Sequence, residues 1–342
     1  MRVATGMVSG LRAGPELAEQ AVRNALDEAG LKRADQAILL LSRDFSRHPQ
    51  TAILAAARAA GTTQISGCTA SGLLTERGWQ MDQPAAAALV FTHDAAATHS
   101  SGAPLLCFSG HNNLPFDWQG GPERFGLLDT DAATWAHGRL AENACSDIRI
   151  PGINTRMARS SGLRNLGPAQ TVNHCQGYDL CRIGGQRAMD NLLRCLPAAL
   201  REYPPLHLIA GLRRPDAPGI AILSANTAGS LTLSAALNTD DSLSWAIRQP
   251  LSAEQEMRQA LAALAPCEKP DFALMFSCIG RGPVFYGDED RDWLAFREQF
   301  PDIPLLGAYG CGQIAPAGGR NCLFQNSVIT LLAESAHVQS LP

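Results

Sequence analysis

The residues with the clearest chemical potential are a cysteine and an arginine in a glycine-containing segment near the carboxyl-terminal end of the sequence. Cys278 and Arg281 lie in Cys278-Ile279-Gly280-Arg281-Gly282, directly after an apolar run. A guanidinium beside a thiol favours the thiolate and lowers the pKa of the cysteine, so Cys278 is a candidate nucleophile. The alternative is that the cysteines of this chain are small buried apolar residues. Arg281 is suited to bind a carboxylate or phosphate through two parallel hydrogen bonds.

Two further cysteines lie in glycine-rich segments that resemble each other. The first segment is Gly67-Cys68-Thr69-Ala70-Ser71-Gly72 and the second is Gly307-Ala308-Tyr309-Gly310-Cys311-Gly312, each after a short apolar run. Glycine allows close approach of a ligand because it has no Cβ. We predict that both segments are turns at strand ends and line one ligand site. The site residues expected from this pattern are Gly67, Cys68, Cys278, Arg281, Gly307, Tyr309, Gly310, Cys311, Gly312, Gln313 and Asn326.

Other kinds of site have weaker support in the sequence. Gly310-x-Gly312 is not a dinucleotide fingerprint, because Pro316 prevents the phosphate-binding helix that must follow. His174 and Cys175 cannot be a catalytic pair, since adjacent residues of an extended chain point to opposite faces. The spacing of cysteines and histidines predicts no metal site. Haem with His174 or another histidine as axial ligand is kept as an alternative.

The same order of predicted helices and strands surrounds each of the two glycine-rich segments. The order helix, strand, helix, strand, glycine-rich turn and strand is predicted over residues 16–91 and again over 252–332. Asp35-x-Ala37 in the first copy matches Asp271-x-Ala273 in the second, and the two glycine-rich segments match at nearly the same offset. We therefore predict an α/β fold of two related lobes with mixed sheets and flanking helices, pseudo-duplicated. The alternative is a coincidence of two common α/β patterns.

Composition narrows the class of protein. The 342 residues include 28 Lys and Arg and 32 Asp and Glu, which gives a net charge of −4, and the two signs are interspersed. Nucleic acid is therefore not an expected partner, because phosphate binding needs a concentrated basic face. The sequence contains no apolar stretch long enough to predict a membrane span, and its first residues lack the apolar core of a secretory signal. We expect a cytoplasmic protein whose ten cysteines are reduced thiols.

Three stretches of the chain resemble the FIST domain family, whose name stands for F-box and intracellular signal transduction. The specific part is Phe276 to Gly282 together with Pro304 to Pro316 and the later Asn326, and the first glycine-rich segment looks like the amino-terminal module of the family. The resemblance implies a FIST N-terminal module at 1–176 and a FIST C-terminal domain at 177–342. Where the family often has Glu after Gly-x-Gly, this chain has Gln313, which supplies no charge for an ammonium group.

The resemblance also implies a function. FIST domains are sensory modules that bind small ligands such as amino acids, and some bacterial members are haem proteins that report nitric oxide. We hypothesise a cytoplasmic, stand-alone ligand-binding sensor without a cofactor, which signals through a separate protein partner, and we leave open whether it is an enzyme. Two alternatives are a cysteine-dependent enzyme that uses Cys278 and a haem-binding nitric-oxide sensor.

Overall fold

The chain folds into two compact units. The computed structural model describes residues 1–93, 104–264 and 269–335. The first unit contains the residues up to Ser160 and those from Met257 onward, and the second unit contains Ser161–Glu256. The units are defined by spatial contacts, so the sequence-based division at residues 176 and 177 stays a prediction.

The described residues contain six α-helices and 25 β-strands. The first elements are β1 (Val3–Ser9), α1 (Pro15–Ala29), β2 (Gln36–Ser42), α2 (Pro49–Ala60), β3 (Ile65–Ala70), β4 (Gly72–Thr75), β5 (Gly78–Gln80), β6 (Ala85–Phe91), β7 (Leu105–Ser109), β8 (Arg124–Leu128), β9 (Thr134–Ala136), β10 (Arg139–Leu140), β11 (Cys145–Ile148) and β12 (Ile153–Ser160). The second unit contains β13 (Leu163–Asn165), β14 (Gln170–Gln176), β15 (Asp179–Ile183), β16 (Gln186–Arg187), α3 (Ala188–Cys195), β17 (Ile209–Leu212), β18 (Ile220–Ala225), β19 (Leu231–Leu233) and β20 (Ser242–Arg248). The last elements are α4 (Pro250–Ala263), β21 (Phe272–Cys278), α5 (Pro283–Tyr286), α6 (Arg291–Gln299), β22 (Leu305–Gly310), β23 (Gly312–Ala317), β24 (Arg320–Phe324) and β25 (Val328–Ser335). None of the described helices combines the length and the apolar character needed to cross a bilayer.

The first sheet of the first unit has the strand order β1-β6-β2-β3-β9-β10 and carries α1 and α2 on one face. Strands β2 and β3 run parallel. Leu39 on β2 packs toward the helices, whereas its neighbour Leu40 packs into a central core on the opposite face. Both helices begin at a proline and end before a left-handed glycine, Gly30 or Gly61.

The second sheet has the order β12-β25-β21-β22-β4-β5, and its parallel pair is β21 and β22. Met275 on β21 packs against α4 and α6, while Phe276 faces the central core. A third sheet, β11-β7-β8-β23-β24, contributes Leu127 and Phe324 to the same core. The first unit is therefore a mixed α/β structure in which two sheets face each other between two helical layers, as expected for α/β layer packing.

The second unit is built mainly from antiparallel strands. Its sheet runs β13-β20-β14-β15-β19-β18-β17, and β20 also pairs with β17, so the strand order closes on itself. Trp245 lies in its core and donates from Nε1 to Asn191 Oδ1 at 3.0 Å. Helix α3 ends at Cys195, because Pro197 lacks the backbone N–H that a continuing helix needs.

Both glycine-rich segments are mostly strand, and the prediction that they are turns was wrong. A Cβ on Gly67 in β3 would lie 1.7 Å from the carbonyl oxygen of Leu39 in the parallel neighbour β2. A Cβ on Gly307 in β22 would lie 2.0 Å from the carbonyl oxygen of Met275 in β21. The two glycines therefore allow the close approach of a neighbouring strand.

The two sheets share a second local detail. Asp35, before β2, accepts a hydrogen bond from the backbone N–H of His93 at 3.0 Å. Asp271, before β21, accepts one from the backbone N–H of Ser335 at 2.6 Å. The Asp-x-Ala matches in the sequence thus correspond to one contact made twice, each time with the segment at the end of the antiparallel neighbour strand.

A buried ionic network joins the segment after β21 to helix α6. Arg281 is 1% exposed, and its Nε donates to Asp292 Oδ2 at 2.9 Å. It also donates to the backbone carbonyl and the hydroxyl of Ser160 at 2.9 and 2.7 Å, and the hydroxyl of Tyr286 donates to Asp292 at 3.0 Å. This places Arg281 inside the fold, where a desolvated guanidinium requires its acidic partner. The expectation that Arg281 meets a ligand does not fit this burial.

Tyr309 and Asp290 form a second buried pair beside this network. The hydroxyl of Tyr309 donates to Asp290, which also caps α6 by accepting from the backbone N–H of Trp293 at 2.9 Å. Tyr309 packs in the core on the helical side of the second sheet. Burial, followed by the charge of Asp292, raises the pKa of Asp290 to about 6. Tyr309 is therefore a structural residue of this core.

The first prediction concerns the close approach of β2 and β3. Gly67→Ala introduces a Cβ against a backbone carbonyl that cannot move without displacing its strand, and we expect a loss of more than about 2 kcal/mol of unfolding free energy. Gly120→Ala is the matched control, since a Cβ there meets nothing within 4 Å. Urea denaturation, with soluble yield as a second readout, checks this. Equal stability of the two variants would show that the contact does not constrain the strands.

The second prediction concerns Asp290. Its pKa is raised in the folded state from 3.8 to about 6, so the folded protein holds this proton more tightly and its stability falls as pH rises through that interval. Asp290→Asn keeps an oxygen acceptor for the cap and removes the charge. Relative to the wild type, the unfolding free energy of the variant should therefore increase by roughly 2 kcal/mol as the pH rises from 4 to 7.

Urea denaturation at several pH values measures this difference, with the exposed Asp288→Asn as control. A stability difference between Asp290→Asn and the wild type that does not change with pH would contradict the prediction.

Candidate functional site

Polar residues follow the carboxyl ends of strands from all three sheets of the first unit. Arg43 follows β2, Ser71 follows β3, Asp129 follows β8, Cys278 ends β21 and Cys311 follows β22. Strands β2 and β3 run parallel, as do β21 and β22, so the carboxyl ends within each pair lie at one edge of their sheet. Such edges are where α/β proteins bind ligands. We call Arg43, Ser71, Asp129, Cys278, Cys311 and Asn326 the strand-end cluster.

Asp129 lies at the centre of the strand-end cluster, and its side chain has 0% exposure. Arg43 donates to Asp129 from Nη2 at 2.7 Å and from Nε at 3.2 Å. The Ser71 hydroxyl donates to Oδ2 at 2.8 Å, and the Cys311 thiol donates to Oδ1 at 3.1 Å. A buried carboxylate is thus paired with one cation and accepts from two further groups, which compensates for its desolvation.

Arg43 connects this buried carboxylate with the surface. Its side chain is 51% exposed, and Nη1 donates to no described residue. Partial burial opposes its charge, but the hydrogen bond and the charge of Asp129 outweigh that effect and raise the pKa of Arg43. The guanidinium therefore keeps one edge free to donate to an oxyanion.

Ser71 and Cys311 are also the residues at which the chain changes sheet. Ser71 separates β3 in the first sheet from β4 in the second, and Cys311 separates β22 in the second sheet from β23 in the third. The backbone N–H of Ser71 donates to the carbonyl of Tyr309 at 3.0 Å. The positions of these two side chains are thereby determined by two sheets at once.

Cys278 and Asn326 are the remaining two members of the strand-end cluster. The sulfur of Cys278 is 3.9 Å from the carbonyl oxygen of Cys311 and 3.9 Å from Oδ1 of Asn326. Asn326 has a left-handed backbone, with φ of 56°, immediately before the last strand. Cys278 is 5% exposed, and Arg281, which the enzyme hypothesis places beside it as an activating cation, is bonded to Asp292 instead.

Cys68 does not belong to the cluster. It lies within β3, is 2% exposed and faces the central core. Burial, reinforced by the charge of Asp129, raises the pKa of the Cys68 thiol well above its usual value. This thiol therefore stays protonated and is a poor nucleophile. Nine cysteines of the described residues are free thiols, and Cys267 lies outside those residues.

Gln313 is placed in the central core, next to Leu127 and Phe324 in strand register. It is fully buried, and neither its Oε1 nor its Nε2 has a hydrogen-bond partner among the described residues. A buried amide without hydrogen-bond partners destabilises the folded state, and a polar group of a ligand could supply the missing hydrogen bonds. A ligand contact at Gln313 stays a prediction.

The remaining predicted glycines have packing roles. A Cβ on Gly310 would lie 2.9 Å from the side chain of Leu127, and one on Gly312 would lie 2.6 Å from the side chain of Leu323. Both glycines therefore leave room for neighbouring leucines of the third sheet. This explains their presence without a ligand.

His174 was the axial ligand of the haem alternative. It is exposed on β14 in the second unit and pairs in register with Arg182. An axial haem ligand lies in a pocket that encloses the macrocycle, so the surroundings of His174 do not fit this role. Within the described ranges, no group of three His, Cys, Asp or Glu side chains could hold a metal ion.

Three residues of the cluster were not predicted as site residues. Arg43, Ser71 and Asp129 share one signal that the sequence does contain, since each directly follows a short, fully buried strand. They come together only when the three sheets assemble, which brings distant parts of the chain into contact. Arg43 and Asp129, for example, are 86 residues apart. Local patterns do not show that pairing.

Comparisons with known proteins identify relatives over part of the chain. Residues 188–316 match the family model of the FIST C domain. An uncharacterised protein of Mycobacterium bovis is 26% identical over 192 residues, which is 52% of this chain and 50% of that protein. An uncharacterised protein of Mycobacterium tuberculosis is 24% identical over the same shares of the two chains.

Human F-box only protein 22 is 28% identical over 149 residues, which is 40% of this chain and 35% of that protein. The chain thus spans about half or less of the length of the curated relatives that it matches. The segment that matches the family model includes Cys278 and Cys311 of the strand-end cluster. Residues 188–316 thus match the FIST C domain model, in agreement with the resemblance seen in the sequence.

Proposed function

We propose that this chain is a small-ligand-binding sensory module and that the strand-end cluster binds the ligand. The observation that carries the proposal is the buried carboxylate of Asp129, bonded by a half-exposed Arg43 at the carboxyl ends of two parallel strand pairs. Carboxyl ends of parallel strands are the usual ligand sites of α/β folds. The match to the FIST C domain supports a sensory role.

The arrangement favours a ligand with an anionic group. Asp129 already accepts from Arg43, Ser71 and Cys311, so its charge is committed within the protein. Nη1 of Arg43 is the free donor, and a guanidinium edge is complementary to a carboxylate. A ligand of amino-acid type would therefore be held first by its carboxylate. The neutral Gln313 would contribute hydrogen bonds rather than charge.

The means of signalling is part of the same proposal. Ligand binding at the cluster would act on the segments in which all three sheets of the first unit meet, because Ser71 and Cys311 each join two sheets. A change there can alter the surface that a separate protein partner contacts. We propose the cytoplasm as the compartment, which agrees with nine free thiols among the described residues.

We also infer that residues 16–91 and 252–332 arose by duplication. Each sheet has a parallel pair flanked by an antiparallel strand, with the same Asp contact and the same glycine approach. In this interpretation Ser71 and Cys311 occupy equivalent positions between strands. The ligand site then combines the corresponding strand ends of two related halves.

The test is a titration with the standard amino acids, each added separately to the full chain at millimolar concentration. We expect at least one of them to raise the melting temperature, because binding to the native state stabilises it. The double variant Arg43→Gln with Asp129→Asn removes both charges together and leaves no unpaired buried charge. It should fold and bind that amino acid at least about tenfold more weakly by calorimetry.

The matched control is Glu19→Gln with Arg23→Gln, which removes an exposed ion pair of 2.7 Å from helix α1. Its affinity should equal that of the wild type. The proposal fails if no amino acid binds, or if the two double variants bind it equally well. Rapid alkylation of Cys278 with loss of a catalytic activity would favour the enzyme alternative instead.

A further inference from the structure

A row of basic side chains crosses three neighbouring strands of the second unit. His174 on β14 is paired in register with Arg182 on β15, and Arg182 is paired in turn with Arg187 on β16. All three residues are exposed. Residues that are directly opposite on antiparallel strands point to the same face of the sheet, so these side chains lie next to one another. We call His174, Arg182 and Arg187 the basic row.

The acids near the basic row do not neutralise it. Arg182 donates from Nη2 to the carbonyl oxygen of Gly185 at 2.7 Å, a neutral acceptor that does not cancel its charge. Asp179, the acid on β15, accepts from a threonine hydroxyl of β19. Asp190 follows Arg187 by three residues on α3, but within the part of the chain that the structure describes neither arginine forms an ion pair.

Other exposed arginines of the second unit show what the basic row lacks. Arg213 lies 3.8 Å from Asp241, and Arg214 lies 3.2 Å from Asp216. Two guanidinium groups directly opposite each other repel instead, and such a pair destabilises a sheet. An acidic group from outside the chain would relieve this repulsion.

We propose that the basic row is a docking surface for an acidic segment of a partner protein. Neighbouring strands lie about 4.8 Å apart, so the row presents separate charges over about 10 Å rather than surrounding one phosphate-sized group. This spacing fits several carboxylates of one polypeptide segment, each bound by the fork of a guanidinium. Tyr178, which is 60% exposed in the turn between β14 and β15, offers an aromatic contact on the same hairpin.

The inference deepens the proposed function, because it names the chemistry of the protein partner, and it rests on that function only for a role in signalling. The basic row belongs to the second unit and shares no residue with the strand-end cluster. Docking is therefore measured without any amino acid present, so that the docking surface and the ligand site can fail separately.

The probe is a fluorescently labelled peptide of six glutamates, titrated with the full chain at low ionic strength and followed by anisotropy. We expect saturable binding that weakens as salt is added. Arg182→Gln with Arg187→Gln should weaken it at least about tenfold, and the corresponding double lysine variant should weaken it less because both charges are retained. Arg187→Gln alone should raise the urea midpoint of the peptide-free protein at low ionic strength, since it removes the charge opposite Arg182.

Arg213→Gln with Arg214→Gln is the matched control, since it removes the same charge from two exposed arginines that already have acidic partners. Its affinity for the peptide should stay within about twofold of the wild type. The proposal is overturned if the peptide does not bind saturably, if the two double glutamine variants weaken binding equally, or if a single-stranded oligonucleotide of the same charge binds more tightly. The Arg43→Gln with Asp129→Asn variant should bind the peptide normally, which separates this inference from the ligand site.

Discussion

The buried carboxylate of Asp129 is the constraint on which the strand-end cluster depends. A carboxylate without solvent requires a cation and hydrogen-bond donors, and here these come from Arg43, Ser71 and Cys311. Arg43 follows a strand of the first sheet, Asp129 follows a strand of the third, and Ser71 and Cys311 lie where the chain changes sheet. One buried charge is therefore contacted by residues at the strand ends of three sheets.

Two arginines of the first unit form ion pairs with buried acids but differ in their own burial. Arg281 is 1% exposed and forms an ion pair with Asp292, which is equally buried. Arg43 also forms an ion pair with a buried acid, but half of its side chain is in contact with solvent. Removal of either partner of the first pair leaves an isolated interior charge, whereas the second pair presents a donor to the outside.

The elements of the first unit were largely predictable from sequence, because capping and periodicity are local. The bounds of α1, α2 and β6 follow from Pro15, Pro49 and the left-handed glycines or from a continuous apolar run. The glycine-rich segments were mistaken for turns, since the carbonyl that approaches Gly67 comes from another strand. Cys278 lies 3.9 Å from the carbonyl oxygen of Cys311 and from Oδ1 of Asn326, and the prediction that these residues bind a ligand stays a prediction.

The role of Asp129 could not be foreseen in the same way. A carboxylate after a short strand has no sequence signature that distinguishes a buried acceptor from a solvated loop residue. Its partner Arg43 is 86 residues away, so the pair exists only once distant strands are paired. The closed strand order of the second unit depends likewise on the pairing of β17 with β20.

The strand order of the second sheet affects how the chain can fold while it is being synthesised on the ribosome. Strand β4, which also pairs with β5, pairs with β22, and Glu76 accepts from the backbone N–H of Leu305, 229 residues further along the chain. A nascent polypeptide that has emerged only as far as β12 therefore carries strand edges whose partners have not yet been translated. Pairings of such long range close slowly, and unpaired edges are open to association with other chains. Cellular chaperones would act on this interval, before translation of the last quarter of the chain completes the sheet.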